Sequence, residues 1–297
     1  MIAQIPDRLA PVMPEFTEIG VVGAGFMGTG IAESAARAGL SVHLYEPSEP
    51  PLERSRASLD KSIAHAVQRG RLGEDEAEQM LQRISYTTDL DALAGSEVVI
   101  EAVIEDENVK MKVFADLDAA LPDAKILASN TSSIPIAELA AVTGHRDRVL
   151  GLHFFSPVPV MKLVEIVVAL DTAPDSVTLA EELAQQLGKH PIRTKDRSGF
   201  IVNMLLVPYL MAAVRMYEEG FATREDIDEG MKLGCGHPMG PLTLCDFIGL
   251  DVLYAVCNSL YEEFKRDEYA PPPLMKRMVV SGHLGRKSGR GFYEYAR

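Results

Sequence analysis

Hydrophobic positions in the first two thirds of the chain fall into two alternating patterns. Short, nearly continuous aliphatic or β-branched runs read as strands at 18–22, 41–45, 84–87, 97–104, 125–128, 148–152, 162–168 and 190–195. Between them, apolar residues recur at helical spacing over 31–38, 52–69, 74–83, 109–121 and 175–187. Strands buried on both faces and separated by helices predict a doubly wound, mostly parallel α/β sheet. A linker follows at Asp196-Arg-Ser-Gly199, and beyond it only helical patterns remain, over 200–219, 224–233, 241–247, 250–264 and 271–280. A glycine-rich tail from Gly285 to Gly291 comes last. The expected organisation is a loose leader (1–16), a Rossmann-like domain (17–198) and a smaller all-α domain (199–297).

Composition narrows the partners. With 297 residues, 47% of them hydrophobic, the chain has the size for two domains and ample apolar material for their cores. A net charge of −14 argues against nucleic acid and against an anionic membrane surface. An anionic ligand must therefore be met by local basic groups or by helix N-termini. Three cysteines, Cys235, Cys245 and Cys257, form no CxxC pair, so neither a disulfide framework nor a zinc site is expected. That usage fits a reducing compartment. The first fifteen residues carry no apolar core of signal-peptide length. The most apolar stretch, 200–214, is interrupted by Asn203 and Pro208 and is too short to span a bilayer. A cytoplasmic protein with no membrane partner is expected.

The first strand runs into Gly23-Ala-Gly25-Phe-Met-Gly28, and a helix and a second strand follow, ending at Glu46. In this strand–turn–helix setting each glycine has a task. Gly23 permits the tight turn, Gly25 lets a pyrophosphate approach the backbone, and Gly28 lets the helix pack on the strand. Uncapped N–H groups near Phe26 and Met27 then hold the phosphates. Glu46 stands eighteen residues after Gly28, where an acid receives the adenosine ribose hydroxyls and repels a 2′-phosphate. NAD is thus preferred over NADP.

Two further clusters carry candidate chemistry. Ser129-Asn-Thr-Ser-Ser133 follows a strand C-terminus, the edge where ligands sit in open α/β sheets. It reads either as a polar turn capping the helix at Pro135 or as hydrogen-bonding groups for nicotinamide and a substrate hydroxyl. His153 ends one short strand and Glu165 lies within the next, with Pro157 and Pro159 excluding a helix between them. Two strands joined by such a turn can set the carboxylate beside the imidazole as a base-and-orienter pair. A structural histidine with a strand-edge glutamate fits the same pattern. Asn203, alone and polar in an apolar helix, is either satisfied among the helices or turned toward the cleft.

Taken in order, GxGxxG, SNTSS at 129–133, GLHFFSPVPVMKLVE at 151–165, Ser198-Gly-Phe-Ile-Val-Asn203 and Gly236-His-Pro-Met-Gly-Pro241 with Asp246-Phe-Ile-Gly-Leu-Asp251 resemble the L-3-hydroxyacyl-CoA dehydrogenases. They resemble in particular the compact, single-function 3-hydroxybutyryl-CoA dehydrogenases. The resemblance covers Glu18 to about Tyr295. It implies that His153 is the catalytic base, that Glu165 is its partner, and that Ser132 and Asn203 contact the substrate oxygen. NAD contacts are implied at Glu46, Glu105, Lys110, Asn130 and Lys287. Coenzyme A contacts are implied at Ser62 and Arg69, although many relatives have lysine where Arg69 stands. Relatives often carry Asp at position 46 and Asn at position 156, where this chain has Glu46 and Ser156.

The implied reaction interconverts a short-chain (3S)-3-hydroxyacyl-CoA and its 3-oxoacyl-CoA. The helical domain would close over the thioester and pair two subunits. No metal-ligand cluster is visible in the sequence. Three other readings remain at this stage: a sugar-acid dehydrogenase of related build, a 6-phosphogluconate-type enzyme, whose catalytic lysine finds no place here, and a non-enzymatic NAD-binding or lens-type structural protein.

Overall fold

The structure is a computed structural model that describes residues 16–296. The expected leader lies outside those residues except for Phe16, which belongs to the core. Its ring is 1% exposed, and its backbone exchanges two hydrogen bonds with the side-chain amide of Gln186. The chain divides into two compact units after Asp196.

The first unit is built on β1 (Glu18–Val22), α1 (Phe26–Arg37), β2 (Ser41–Tyr45), α2 (Glu49–Gln68), α3 (Glu74–Gln82) and β3 (Ile84–Thr87). It continues with β4 (Val98–Glu101), α4 (Glu107–Ala120), β5 (Ile126–Ser129), α5 (Ile136–Ala141), β6 (Val149–Phe154), β7 (Leu163–Val168), α6 (Pro174–Gln186) and β8 (His190–Lys195). These strands form one sheet in the order β3-β2-β1-β4-β5-β6-β7-β8. The first six are parallel, and β7 and β8 run together in the opposite sense. The reversal follows from loop length. The segment 155–162 between β6 and β7 is shorter than the dozen or so residues that a parallel crossover needs. The result is a Rossmann-like sheet with helices on its faces, and the interior strands are aliphatic because both faces are covered.

Several element ends differ from the pattern reading, each for a local reason. Helix α1 begins at Phe26 rather than Ile31, because Gly28 and Gly30 are helical residues used for close packing and give no hydrophobic signal. Strand β4 stops at Glu101 rather than Ile104, where the Glu101 carboxylate takes the N–H of Val103 at 2.7 Å and turns the chain. Helix α4 begins two residues early, with the Asp106 side chain capping the N–H of Val109 at 3.0 Å. The helix after Pro135 takes its N-terminal partner from afar. Both Asp196 carboxylate oxygens accept N–H groups of Ile136 and Ala137, each at 2.8 Å, so 129–133 need not be read as that helix's cap.

The second unit comprises α7 (Val202–Glu218), α8 (Arg224–Cys235), α9 (Pro241–Ile248), α10 (Leu250–Phe264) and α11 (Pro273–Val280), packed around Leu210, Met211, Leu242, Leu253 and Leu260. Two buried aspartates organise it. Asp228 accepts the N–H groups of Leu242 and Thr243 at the start of α9. Asp246 accepts the N–H groups of Phe292 and Tyr293 and the hydroxyl of Tyr295, folding the glycine-rich tail back onto α9. Burial pushes the Asp246 carboxyl up from its ordinary value. Among the described residues, no single helix is long and apolar enough to cross a membrane.

Candidate active site

The turn between β1 and α1 needs its glycines for different reasons. At Gly23, with φ +106°, a Cβ would stand 2.6 Å from the carbonyl oxygen of Ala102. At Gly28 it would stand 1.8 Å from the carbonyl oxygen of Gly23. Gly25 has no heavy atom within 4 Å of a notional Cβ, so the backbone there faces open space. Helix α1 has no side-chain cap and no acid in its first turn, which leaves the N-terminal N–H groups at Phe26 and Met27 directed at that opening. Glu46 follows β2 and accepts the N–H of Ala24 at 3.0 Å, so its carboxylate is anchored beside the turn. A cavity of about 790 Å³ runs past Gly25, Phe26, Glu46, Arg54 and Ile104. Room, open backbone and an anchored acid together fit a dinucleotide with a free ribose diol.

At the C-terminal ends of β4 and β5 lies a charged cluster that is only partly legible in the sequence. Glu101 is completely buried, and no motif in the sequence points to it. Its carboxylate takes the Lys110 ammonium at 2.5 Å and the Ser129 hydroxyl at 2.6 Å. Lys110, itself 1% exposed, also lies 3.4 Å from the carboxylate of Glu105. Glu105 accepts the hydroxyls of Thr131 at 2.6 Å and Ser133 at 3.1 Å, and the N–H of Ser132 at 2.9 Å. The Ser132 hydroxyl is farther from it, at 3.4 Å. Burial pushes the Glu105 carboxyl up, but the Lys110 charge and the donors from 131–133 outweigh it and hold the group below its ordinary value. The turn therefore reaches Glu105 through its backbone and flanking hydroxyls. Glu101 could have been found from an acid at the end of an otherwise aliphatic strand.

The next strand of the sheet carries the histidine. His153 on β6 and Glu165 on β7 are directly opposed in the antiparallel register, with Nδ1 and Oε2 2.7 Å apart. Their residues are 6% and 0% exposed. The Phe155 ring packs 4.6 Å from the imidazole. The side-chain amide oxygen of Asn130, Oδ1, accepts the N–H of Phe154 at 2.9 Å, tying the 129–133 turn to the end of the histidine strand. Beyond the histidine, the Lys189 ammonium donates to the carbonyls of Val158 and Met161 at 2.5 and 2.9 Å, which clasps the 155–162 loop. Thus Asn130, Ser132, His153 and Glu165 share one edge of the first unit with Glu105 and Lys110.

The remaining expected residues lie elsewhere. Ser62 and Arg69 are exposed, on α2 and just past its end. Asn203 belongs to the second unit. It is half-buried in the first turn of α7, rather than inside an apolar helix starting at Phe200. Lys287 also belongs to the second unit, and its ammonium is 2.6 Å from the Asp251 carboxylate.

A glycine-rich strand-to-helix turn, an acid after the second strand and a sheet-edge polar cluster define an NAD-binding oxidoreductase. The comparisons with known proteins give the family. Residues 18–197 match the NAD binding domain of 3-hydroxyacyl-CoA dehydrogenase, and residues 199–295 match its C-terminal domain. The chain belongs to the 3-hydroxyacyl-CoA dehydrogenase family. It is 53% identical over 280 residues to a 3-hydroxybutyryl-CoA dehydrogenase of Mycobacterium tuberculosis, covering 93% of this chain and 98% of that one. A probable 3-hydroxybutyryl-CoA dehydrogenase of Deinococcus radiodurans is 43% identical over 278 residues, covering 94% and 100%. The crystal structure of the (S)-3-hydroxybutyryl-CoA dehydrogenase of Ralstonia eutropha superposes with a TM-score of 0.90 at 44% identity, covering 95% of this chain and 100% of that one. The protein is an oxidoreductase of the hydroxyacyl-CoA dehydrogenase type and its cofactor is NAD.

Proposed function

We propose that the enzyme interconverts short-chain (3S)-3-hydroxyacyl-CoA and 3-oxoacyl-CoA esters, with 3-hydroxybutyryl-CoA and acetoacetyl-CoA as the four-carbon pair. The observation that carries this reading is the 2.7 Å contact between His153 Nδ1 and Glu165 Oε2 on register partners. An ionised carboxylate only accepts, so Nδ1 keeps its proton and Nε2 is the nitrogen that exchanges one with the substrate oxygen. In the oxidative direction, His153 takes the C3 hydroxyl proton, and in reduction the imidazolium returns it. Glu165 holds the ring and offsets the charge that the ring acquires. Ser132 and Asn203 donate to the oxygen on which charge develops. Glu46, Gly25, Phe26, Met27 and Asn130 hold the cofactor, Glu105 and Lys110 border it, and Lys287 is a further cofactor-binding residue. NAD supplies the hydride chemistry when bound.

Ser62 and Arg69 receive the coenzyme A moiety, whose phosphates need a basic landing site on an acidic protein. The second unit pairs two subunits in a cytoplasmic homodimer. The large apolar side chains Leu205, Phe221, Leu233 and Val280, all more than 70% exposed on that unit, support the pairing. The deciding experiment follows NADH absorbance with acetoacetyl-CoA, longer 3-oxoacyl-CoA esters and L-gulonate plus NAD as separate substrates. Turnover fastest with the four-carbon ester supports the proposal. Turnover with gulonate alone would overturn it.

A further inference from the structure

Glu101 poses a problem that packing does not solve. It ends a strand in the middle of a parallel sheet, where an aliphatic residue would bury at no electrostatic cost, yet it is 0% exposed and faces a lysine that is 1% exposed. A buried ion pair is weak evidence for stability, because desolvation of both charges offsets their attraction. Its arrangement, in contrast, is specific. Both Glu101 oxygens are used: Oε1 by Lys110 and by the N–H of Val103, and Oε2 by the Ser129 hydroxyl.

From these two oxygens, two chains of contacts lead to one turn. In the first, the Ser129 oxygen that donates to Glu101 also accepts the N–H of Thr131 at 3.1 Å. In the second, Lys110 bridges from Glu101 to Glu105, and Glu105 takes the N–H of Ser132 and the hydroxyls on either side of it. The Glu101 backbone carbonyl accepts the N–H of Asn130 as well, at 2.8 Å. Residues 130–133 are thus held from both ends by groups that converge on Glu101. Two carboxylates against one ammonium leave a surplus negative charge. It falls to Glu105, whose side chain is 40% exposed and which gathers the turn's donors.

We infer that Glu101 is a positioning residue for the reaction: through Ser129 on one side and through Lys110 and Glu105 on the other, it fixes the 130–133 turn and so places the Ser132 hydroxyl. The inference rests on the proposed role of Ser132 at the substrate oxygen. A misplacement of about 1 Å in such a group can cost on the order of a hundredfold in rate. Glu101 does so without touching substrate or cofactor itself.

The test uses the whole 297-residue chain and four variants that remove parts of this network. Glu101→Gln keeps the shape and removes the charge, and it should lower kcat for acetoacetyl-CoA reduction by about ten- to a hundredfold with little change in KM. Ser132→Ala should lower kcat as well, and Glu101→Gln added to it should cost little more, because residues acting as a unit are non-additive. Losses that multiply would overturn the inference. Glu101→Gln/Lys110→Met removes the ammonium left without its buried counter-charge, so Tm should return toward the parent while kcat stays low. A kcat that recovers together with Tm would make the cluster merely structural. That neutral pair also carries the test if Glu101→Gln alone fails to fold. His153→Gln, assayed alongside, separates the two levels. Retained turnover there sinks the proposed mechanism, whereas normal kcat in Glu101→Gln beside an inactive His153→Gln sinks only the positioning role.

Discussion

His153 and Glu165 face one another across the antiparallel pair β6 and β7, with Nδ1 2.7 Å from Oε2 and the carboxylate wholly shielded from water. The contact is fixed by backbone register, so neither side chain has to be brought to the other by a flexible loop. A one-residue slip of β7 would turn Glu165 to the opposite face of the sheet.

If that pair is the acid–base machinery, His153→Gln should lower kcat by about 10²–10⁴, the usual share of general acid–base catalysis. NADH binding should survive, because the turn at Gly23–Gly28 and Glu46 are separate from the histidine. Glu165→Gln should lower kcat too, and the double variant should lose little beyond His153→Gln alone. Stopped-flow kcat, NADH affinity and Tm on the two singles and the double check this. A structural pair would instead lower Tm in each variant while activity per folded molecule held.

The cofactor prediction rests on Glu46, anchored by the Ala24 N–H at the edge of the cavity that Arg54 also lines. A carboxylate at the ribose repels a 2′-phosphate, so kcat/KM should be much higher with NADH than with NADPH. Glu46→Ala should narrow the ratio, mainly through cofactor KM, since that contact exists in ground and transition states alike. Equal efficiencies in the parent enzyme would mean that Arg54 meets the phosphate and that Glu46 does not select.

What was legible in the sequence depended on how local the signal is. The eight strands and the glycine turn are written in contiguous runs, and the His153–Glu165 contact follows from two strands and a short loop. Glu101 carries only a weak local signal, an acid closing an aliphatic strand; its role was not legible because its partners, Lys110 and Ser129, come from the next helix and the next strand. The partner of α5 was missed for the same reason: Asp196 lies sixty residues from Ile136. Asn203 looked like a polar residue inside an apolar helix because the run from Phe200 hides the true start at Val202. Apolar composition does not mark a helix end when Phe200 takes a positive φ of 47°.

Acid should reveal the charge on Glu105. Burial raises its carboxyl, but Lys110 and the donors from Thr131, Ser132 and Ser133 lower it further, so its folded value lies below its unfolded one. Such a group stabilises the fold above the unfolded value, about 4.3 for glutamate, and loses that contribution as pH falls through the folded value. Glu105→Gln should therefore lower Tm at pH 7, and the gap to the parent should close progressively below about pH 4.3. A gap that stays constant down to pH 3 would show that the ionised form contributes nothing. Thermal unfolding by circular dichroism across that range is sufficient.

The coenzyme A prediction concerns the exposed end of α2. Ser62 and Arg69 stand two helical turns apart, which puts them along one side of that helix. Arg69 carries the charge. On a protein with net charge −14, a polyanionic coenzyme needs that local reversal of sign. Arg69→Glu should raise KM for acetoacetyl-CoA by about two- to thirtyfold, roughly the worth of an exposed ion pair lost and then reversed. The kcat should hold, because the contact is the same in ground and transition states. The effect should shrink with added salt, which screens exposed charges. A truncated acetoacetyl-pantetheine ester lacks the nucleotide phosphates and should show no change. If the truncated ester loses as much as the full coenzyme A ester, Arg69 acts on the fold of α2 and the phosphates land elsewhere, with Lys61 on the same helix the next position to reverse.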